Sequence, residues 1–213
     1  MSEMEEGLRS GASALGLDLS DAQVEHLLAY LALLAKWNKV YNLTAVRDPR
    51  EMLVQHLLDS LAAIPPLRRH TGGKPMKVLD VGSGGGLPGA VIAICCPELQ
   101  VDCVDTVGKK AAFIQQAAGQ LGLGNLRGVH ARVENLQGPY DLVCSRAFAS
   151  LPDFVAWSGA ALAEEGVWMA MKGKHPAQEI AALPPGTEVF HVEQLAVPGL
   201  DAERCIVWMR RSR

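Results

Sequence analysis

From Lys77 onward, the chain alternates between short apolar runs and segments with helical periodicity, and this alternation restricts the fold more than any other feature. The strand-like runs, in chain order, are KVLDVG, QVDCVD, NLRGVHA, YDLVCSRA and GVWMAMKG. Strands that alternate with helices predict a parallel sheet with helices on both faces. The last two apolar runs, TEVFHVEQLAV and ERCIVWMRR, surround the turn PGLDA. They predict an antiparallel hairpin at one edge of the sheet.

A helical region precedes this alternation. Ser20 and Gln23 have the spacing of a capping box, and apolar residues at helical intervals follow them. We therefore expect a helical extension over residues 1–70, packed on a single compact domain over residues 71–213.

A second helix of the extension has its own start and stop signals. Asp48 is placed as its N-cap, Pro49 as its first helical residue, and Glu51 to reach back to the cap. The pattern predicts that this helix ends at Pro65 and Pro66. The segment RRHTGGKP that follows is interpreted as a linker or exposed turn.

Charge and cysteine spacing limit the function classes. The 213 residues carry a net charge of −3, so any contact with a nucleic acid requires a local basic patch. The five cysteines form no C-x-x-C pair, and the histidines form no H-E-x-x-H pattern, so we expect reduced thiols and no metal site. The acidic N-terminus has no apolar signal core, and no apolar run is long enough to span a membrane. We expect a cytoplasmic monomer.

A glycine-dense turn follows the first strand of the alternating region. Gly84, Gly86 and Gly89 match G-x-G-x-x-G, and Gly82, Gly84 and Gly86 also match G-x-G-x-G. Both patterns indicate a tight turn to which a ligand can approach the backbone closely. On the glycines alone, a dinucleotide site, another nucleoside site and a plain strand-to-helix turn all remain open.

Acidic residues at the strand ends favour one class of ligand. Asp80, at the predicted tip of the first strand, would repel a pyrophosphate and favour a cation such as S-adenosylmethionine (SAM). Asp105 ends the second strand, where an acidic side chain can bind ribose hydroxyls of either NAD or SAM. Val133 and Glu134 follow the third strand, where backbone and carboxylate can hold an adenine amino group.

Longer segments carry a family resemblance. NKVYNLTAVRDPREMLVQHLLDS, LDVGSGGGLPG, CSRAFASL, MKG and LDAERCIVW together resemble the bacterial RsmG (GidB) family of 16S rRNA guanine-N7 methyltransferases. The resemblance extends from about Trp37 to the C-terminus. The glycine loop is shared by many methyltransferases, whereas the asparagine-containing N-terminal stretch and SRAFASL are far more specific.

The resemblance implies a fold, a cofactor and a substrate. The implied fold is α/β: a Rossmann-like class I methyltransferase with a mostly parallel seven-stranded sheet, an antiparallel C-terminal hairpin and an N-terminal helical extension. The implied methyl donor is SAM, and the implied acceptor is a guanine in the 530 loop of 16S rRNA. By position, the resemblance assigns SAM binding to Gly82, Leu87, Val133, Glu134 and Arg146. The residues already considered complete the predicted cofactor set: Asp80, Gly84, Gly86 and Asp105.

Guanine N7 methylation suits the residues that are present. N7 has a free lone pair and needs no general base, so the enzyme has to place it in line with the methyl group. The [DN]-P-P-[YF] motif of exocyclic-amine methyltransferases is missing, and CSRAFAS occupies its place. Arg146, at the end of the fourth strand, is the candidate catalytic residue, with guanine O6, a phosphate or the SAM carboxylate as its partner.

Basic residues near the same edge of the sheet are the candidate RNA contacts. A lone surface lysine is more often simply solvated, so the prediction depends on the set as a whole. His56, on the second helix, precedes Asp59 by about one turn. The predicted RNA-binding residues are Arg47, Arg50, His56, Arg132, Lys172 and Lys174.

Two other functions share these features. An NAD(P)-dependent oxidoreductase would have the same sheet and G-x-G-x-x-G, but Asp80 and the lack of a Tyr-x-x-x-Lys relay oppose it. A non-catalytic ribosome-assembly factor that has kept a SAM pocket is the second alternative. Cofactor binding distinguishes the first from a methyltransferase, and turnover distinguishes the second.

Overall fold

The structure, a computed structural model, describes residues 1–213. The seven strands are β1 (Met76–Val81), β2 (Leu99–Asp105), β3 (Leu126–His130), β4 (Tyr140–Arg146), β5 (Leu162–Lys172), β6 (Thr187–Leu195) and β7 (Arg204–Arg211). The helices are α1 (Glu3–Ala14), α2 (Asp21–Tyr41), α3 (Pro49–Met52), α4 (Asp59–Leu61), α5 (Ile64–Thr71), α6 (Gly89–Cys95), α7 (Gly108–Gln120), α8 (Leu151–Ser158) and α9 (Ala177–Ala181). A π-helical segment, Leu53–Leu58, joins α3 to α4.

The strands form one mixed sheet in the order β3-β2-β1-β4-β5-β7-β6. Strands β1 to β5 pair in parallel, and β7 pairs antiparallel with both β5 and β6. This confirms the predicted fold class and the C-terminal hairpin. The strand order changes direction between β1 and β4. In such a sheet, ligands bind at the carboxyl ends of the strands at this point, which here are β1 and β4 with β2 beside them.

Each face of the sheet buries its own apolar cluster. Val78 contributes to the larger cluster, which includes buried residues of α1, α2, α4, α5, α6 and α7. Leu79 and Val81 contribute to the smaller cluster, which includes residues of α8. Alternate residues of a strand point to opposite faces, and this explains the division within β1. Since the N-terminal helices share a core with the sheet, the division of the chain at residue 70 stays a prediction.

The second predicted helix differs from the expectation in two ways. Its middle turn is π-helical, and the chain turns at Ala62 and Ala63, before the two prolines. Pro65 and Pro66 lie in the first turn of α5, which continues to Thr71, so the predicted stop and linker were wrong. A proline near the start of a helix loses no hydrogen bond, because the first amides have no intrahelical acceptor.

No helix of the structure combines the length and the apolar character needed to cross a bilayer.

Candidate cofactor and substrate site

The glycine loop after β1 needs glycine for its conformation. Gly82, Gly84 and Gly86 have φ angles of +63°, +57° and +96°, in the region that other residues adopt only with strain. The amides of Gly82 and Ser83 both donate to the carbonyl of Val104, so the turn is tied to the end of β2. The hydroxyl of Tyr30, on α2, donates to the carbonyl of Gly85. The helical extension therefore supports the loop directly.

Asp80 lies beneath the loop and not at its tip. Its side chain is fully buried, and Oδ2 accepts a hydrogen bond of 2.8 Å from the amide of Gly89, at the start of α6. A Cβ atom at Gly89 would lie 2.3 Å from Sγ of Cys103 and 2.9 Å from Oδ2 of Asp80, so the strand and the helix touch here. Asp80 does not line a ligand cavity; the electrostatic argument against a pyrophosphate needs an exposed carboxylate and therefore fails.

Burial raises the pKa of Asp80 from 3.8 to about 7, although the amide of Gly89 opposes this. Between these values the unfolded chain is ionised and the folded chain is protonated, so stability falls as the pH rises from about 4 to about 7 and then levels off. Asp80→Asn keeps an acceptor for Gly89 but cannot ionise. Relative to this variant, the free energy of unfolding of wild type is expected to fall by a few kcal/mol between about pH 4 and about pH 7, at roughly 1.4 kcal/mol per pKa unit.

Urea unfolding of both proteins at about pH 5 and about pH 8 checks this difference. His56 titrates in the opposite sense, because burial and the charge of Arg146 lower its pKa to about 4. Its contribution is common to both proteins and cancels in the difference. A stability difference that is the same at both pH values would contradict a protonated Asp80.

Asp105 connects the glycine loop to the residue that precedes α7 through both of its carboxylate oxygens. Oδ2 accepts a 3.0 Å hydrogen bond from the amide of Gly84, and Oδ1 accepts a 2.8 Å bond from the amide of Val107. Each carboxylate oxygen can accept more than one hydrogen bond, so Asp105 can still bind a hydroxyl group. Asp105 lies at the end of β2, and its predicted contact to a ribose stays a prediction.

A cavity of about 520 Å³ opens beside Asp105, at the carboxyl ends of β1 and β2. This volume lies within the usual range for small-molecule sites. Of the predicted cofactor residues, it brings together Gly82, Asp105, Val133 and Glu134. Leu87 is instead buried in the larger apolar cluster, so its side chain supports the loop from behind. We call this space the cofactor cavity.

Two aromatic side chains in the cofactor cavity were missed or misread in the sequence. Trp157 lies in an apolar run of the kind that also contains the buried Trp168 and Trp208, but its ring lines the cavity and is 40% exposed. Phe148 lies 5.9 Å from it, edge to face, and also lines the cavity. A Cβ atom on Gly82 would lie only 2.1 Å from Cδ2 of Phe148, so this glycine makes room for the ring. The apolar run around Trp157 gave no sign of its exposure.

Arg146 ends β4 as predicted but faces the helical extension. Its Nη1 donates to the carbonyl of Gln55 at 2.8 Å and to Oδ2 of Asp59 at 3.1 Å. The π-helical segment alters the bonding here, because the amide of Asp59, which would bond to the carbonyl of Gln55 in a regular α-helix, bonds to those of Val54 and His56. The second arginine on Asp59 is Arg204, whose Nε donates to Oδ1 at 3.0 Å.

These residues surround a second cavity of about 350 Å³, which we call the Arg146 cavity. Arg146, His56, Asp59 and Lys172 all line it. Ala147 lines both cavities and has a φ angle of +50°, a strained conformation for a residue with a Cβ atom. The two cavities therefore adjoin at the residue that follows Arg146.

His56 is a neutral, buried member of the Arg146 cavity. It is 6% exposed, and its Nε2 lies 2.9 Å from Oγ1 of Thr44. Because its pKa is lowered to about 4, it carries no charge at neutral pH and cannot neutralise a phosphate. Its predicted role as an RNA contact stays a prediction, limited to neutral hydrogen bonding.

The other predicted RNA contacts differ in their freedom to bind phosphate. Lys172 is 15% exposed and donates to the carbonyl of Ala149 at 2.7 Å, while pairing with Glu179 at 2.9 Å. It therefore holds the loop after β4 and is not a free surface cation. Arg50 pairs with Glu3, and Arg47 donates to Asn42, but both are exposed. Arg132 lines the cofactor cavity and Lys174 is exposed.

The Rossmann-like sheet, its glycine loop and the cavity at its carboxyl edge, together with a match to a methyltransferase family, make this chain a class I SAM-dependent methyltransferase. The residues fit this cofactor, because Asp105 and Glu134 offer acceptors on the cavity wall beside the exposed ring of Trp157. The chain belongs to the rRNA small subunit methyltransferase G family, whose model (GidB) matches residues 23–207. The predicted family, enzyme class and cofactor are thereby confirmed.

Curated relatives agree with this assignment. The chain is 69% identical to ribosomal RNA small subunit methyltransferase G of Acidovorax ebreus (strain TPSY), over 97% of this chain and 95% of that protein. The protein of the same name from Acidovorax sp. (strain JS42) is 70% identical over the same shares.

Solved structures share the fold at low sequence identity. TrmN from Thermus thermophilus superimposes with a TM-score of 0.58 at 20% identity, over 75% of this chain and 53% of that chain. The 1,6-didemethyltoxoflavin-N1-methyltransferase of Burkholderia thailandensis, which holds S-adenosylhomocysteine, gives 0.57 at 17% identity over 92% of both chains.

Proposed function

We propose that the chain transfers a methyl group from SAM to N7 of a guanine in the 530 loop of 16S rRNA. The names of the family and of its relatives support a small-subunit rRNA substrate. The resemblance in SRAFASL and in the N-terminal stretch supports the particular guanine. The chain acts in the cytoplasm as a monomer, and its substrate is the 30S subunit or an intermediate of its assembly.

The observation that carries this proposal is the Arg146 cavity, which adjoins the cofactor cavity but lacks an effective general base. His56 is a weak base because its pKa is lowered to about 4. Asp59 accepts hydrogen bonds from Arg146 and Arg204, and the ammonium group of Lys172 has no lone pair. A substrate atom that must lose a proton would find no partner here, whereas guanine N7 needs none.

The residues present have binding and orienting roles. Gly82, Asp105 and Glu134 would hold the nucleoside part of SAM, which supplies an electrophilic methyl group when bound. Arg146 offers guanidinium donors to guanine O6 or to a phosphate, since a contact to N7 itself would block the reaction. Lys172 holds Ala149, and with it the loop that separates the two cavities. Their common effect is to place N7 and to exclude water.

Transfer of label from methyl-labelled SAM tests the proposal. The purified protein is incubated with 30S subunits, and separately with naked 16S rRNA, from cells that lack the modification. Label on N7 of a single guanine of the 530 loop is the expected result. Label on another atom or nucleotide would keep the methyltransferase and reject the substrate. Binding of SAM without any transfer would favour the assembly-factor alternative.

A further inference from the structure

Three of the six large apolar side chains exposed on this protein belong to the end of α2 and the start of α7, two helices that pack against each other through Trp37 and Phe113. Val40 is 69% exposed, and Tyr41 and Val107 are each 42% exposed. We infer that this surface, which we call the Tyr41 patch, binds the single-stranded RNA next to the methylated nucleotide. The inference rests on the proposed function and adds a binding surface to it. The patch consists of Lys36, Val40, Tyr41, Val107, Lys109 and Lys110.

The aromatic ring of the Tyr41 patch is held on a rigid support. The ring of Tyr41 lies 5.2 Å from that of Trp37, which in turn lies 5.5 Å from Phe113 of α7. These contacts fix the ends of both helices relative to each other. A ring that is both exposed and fixed loses little entropy when a base stacks on it, so it is suited to binding an unpaired nucleotide.

The charges that the two helix ends themselves carry are all positive, although Asp105 and Glu134 line the cofactor cavity beside Val107 and Lys110. Lys109 places its Nζ 5.9 Å from the centre of the Tyr41 ring, and none of the lysines of the patch forms an ion pair. No Asp or Glu occurs in residues 36–47 or in residues 106–120, although the whole chain carries a net charge of −3. On an acidic protein, helix ends that carry only lysines and arginines attract a polyanion.

The patch is continuous with the cofactor cavity. Val107 and Lys110 line that cavity as well as belonging to the patch. An RNA strand that delivers its target base to the neighbouring Arg146 cavity can continue over α7 towards Tyr41. An exposed planar ring with lysines that form no ion pair matches single-stranded RNA, which has both stackable bases and phosphates. A protein partner would need acidic residues to match the same lysines.

The test compares two aromatic–cation pairs on the same protein. Tyr41→Ala removes the ring, Tyr41→Phe keeps it, and the double variant Lys36→Gln and Lys109→Gln removes two charges. The matched control is Phe190→Ala with Arg210→Gln, because Arg210 lies 4.9 Å above the 38% exposed ring of Phe190. That control pair lies on β6 and β7, at the opposite end of the sheet from α7. KM, kcat, SAM affinity and thermal unfolding are measured for each variant with naked 16S rRNA and with 30S subunits.

We expect Tyr41→Ala to raise KM for naked 16S rRNA and for 30S subunits by roughly 5- to 100-fold, which is the usual effect of losing one stacked base. Tyr41→Phe and the control pair stay within about twofold of wild type. The double lysine variant makes the dependence of log K on log salt shallower by about 1.4, at about 0.7 for each phosphate contact to a single strand. SAM affinity and kcat at saturating RNA do not change. If Tyr41→Ala unfolds, the lysine variant alone decides the outcome.

Four results would overturn the inference. An unchanged KM and salt slope would show that the patch does not touch RNA, and a weaker SAM affinity would assign it to the cofactor site. A loss that occurs only with 30S subunits, and not with naked rRNA, would point to a ribosomal protein as the partner. If wild type itself methylates neither substrate, the proposed function is wrong, and the inference about the Tyr41 patch is wrong with it.

Discussion

Replacing Arg146 by alanine is expected to reduce methyl transfer by about 100- to 1,000-fold, the usual effect of removing one fixed electrostatic donor from an active site. Arg146 ends β4 beside Ala147, which lines both cavities, so its guanidinium is the cationic group best placed to contact the acceptor base. Single-turnover rates at saturating SAM and RNA measure this effect without a contribution from binding.

Arg204→Ala is the matched control for this variant. Both arginines bind the carboxylate of Asp59, whose side chain is only 5% exposed, but Arg204 comes from β7. Each substitution leaves Asp59 with one guanidinium partner, so each is expected to cost about 1–3 kcal/mol of folding free energy. Turnover of the Arg204 variant is expected to fall by no more than about tenfold, from indirect displacement of Asp59.

Equal losses of turnover in the two variants would contradict a role specific to Arg146, because both arginines bind Asp59 and both line the Arg146 cavity. Near-normal turnover of a folded Arg146→Ala protein would remove it from the catalytic site altogether. Arg146→Lys adds a further distinction, because it keeps the charge but loses the forked geometry. A bidentate contact predicts that this variant is nearly as slow as alanine.

Gly82→Ala is the second substitution for which we expect a large effect, a loss of SAM affinity of at least about tenfold. The new Cβ atom would lie 2.1 Å from Cδ2 of Phe148 and would require a φ of +63° from alanine. The clash can be relieved only by moving the loop or the aromatic ring, and both line the cofactor cavity. Calorimetric titration with SAM measures the affinity directly, without turnover.

Two comparison variants separate strain from the clash. Gly16→Ala has the same conformational problem, with a φ of +74°, but its Cβ atom would meet nothing within 4 Å. It is expected to lower thermal stability and to leave SAM affinity unchanged. Combining Gly82→Ala with Phe148→Ala removes the clash and is expected to restore part of the affinity. An affinity of Gly82→Ala equal to that of wild type would show that the cofactor does not approach this loop.

The positions of the strands and of the glycine turn could be predicted because they depend on local patterns. Alternating apolar runs locate all seven strands, and the capping box at Ser20 is present as predicted. The π-helical turn at Leu53–Leu58 could not be found in this way, because its apolar spacing does not differ visibly from that of an α-helix. One of its contacts, from the carbonyl of Gln55 to the guanidinium of Arg146, joins residues that are distant in the sequence.

Side-chain roles near the site were predicted less well. Asp80 and Leu87 were placed against the cofactor, but the structure buries both behind the loop. Lys172 was predicted to contact RNA, but its Nζ donates to the carbonyl of Ala149 and pairs with the carboxylate of Glu179. In each case the residue type was compatible with two environments, and the choice between them depends on neighbours that are distant in the sequence.

The sequence by itself determined the parallel sheet, the edge hairpin, the glycine loop, the ends of β2 and β4 where Asp105 and Arg146 lie, and the family. Periodicity and backbone freedom are properties of neighbouring residues, so a single chain reveals them directly. Only the tertiary structure decided that two cavities adjoin at Ala147, that Trp157 is exposed and that Tyr41 lies beside free lysines. These facts depend on how separate elements pack, because burial, pKa and ion pairing are set by atoms from different parts of the chain.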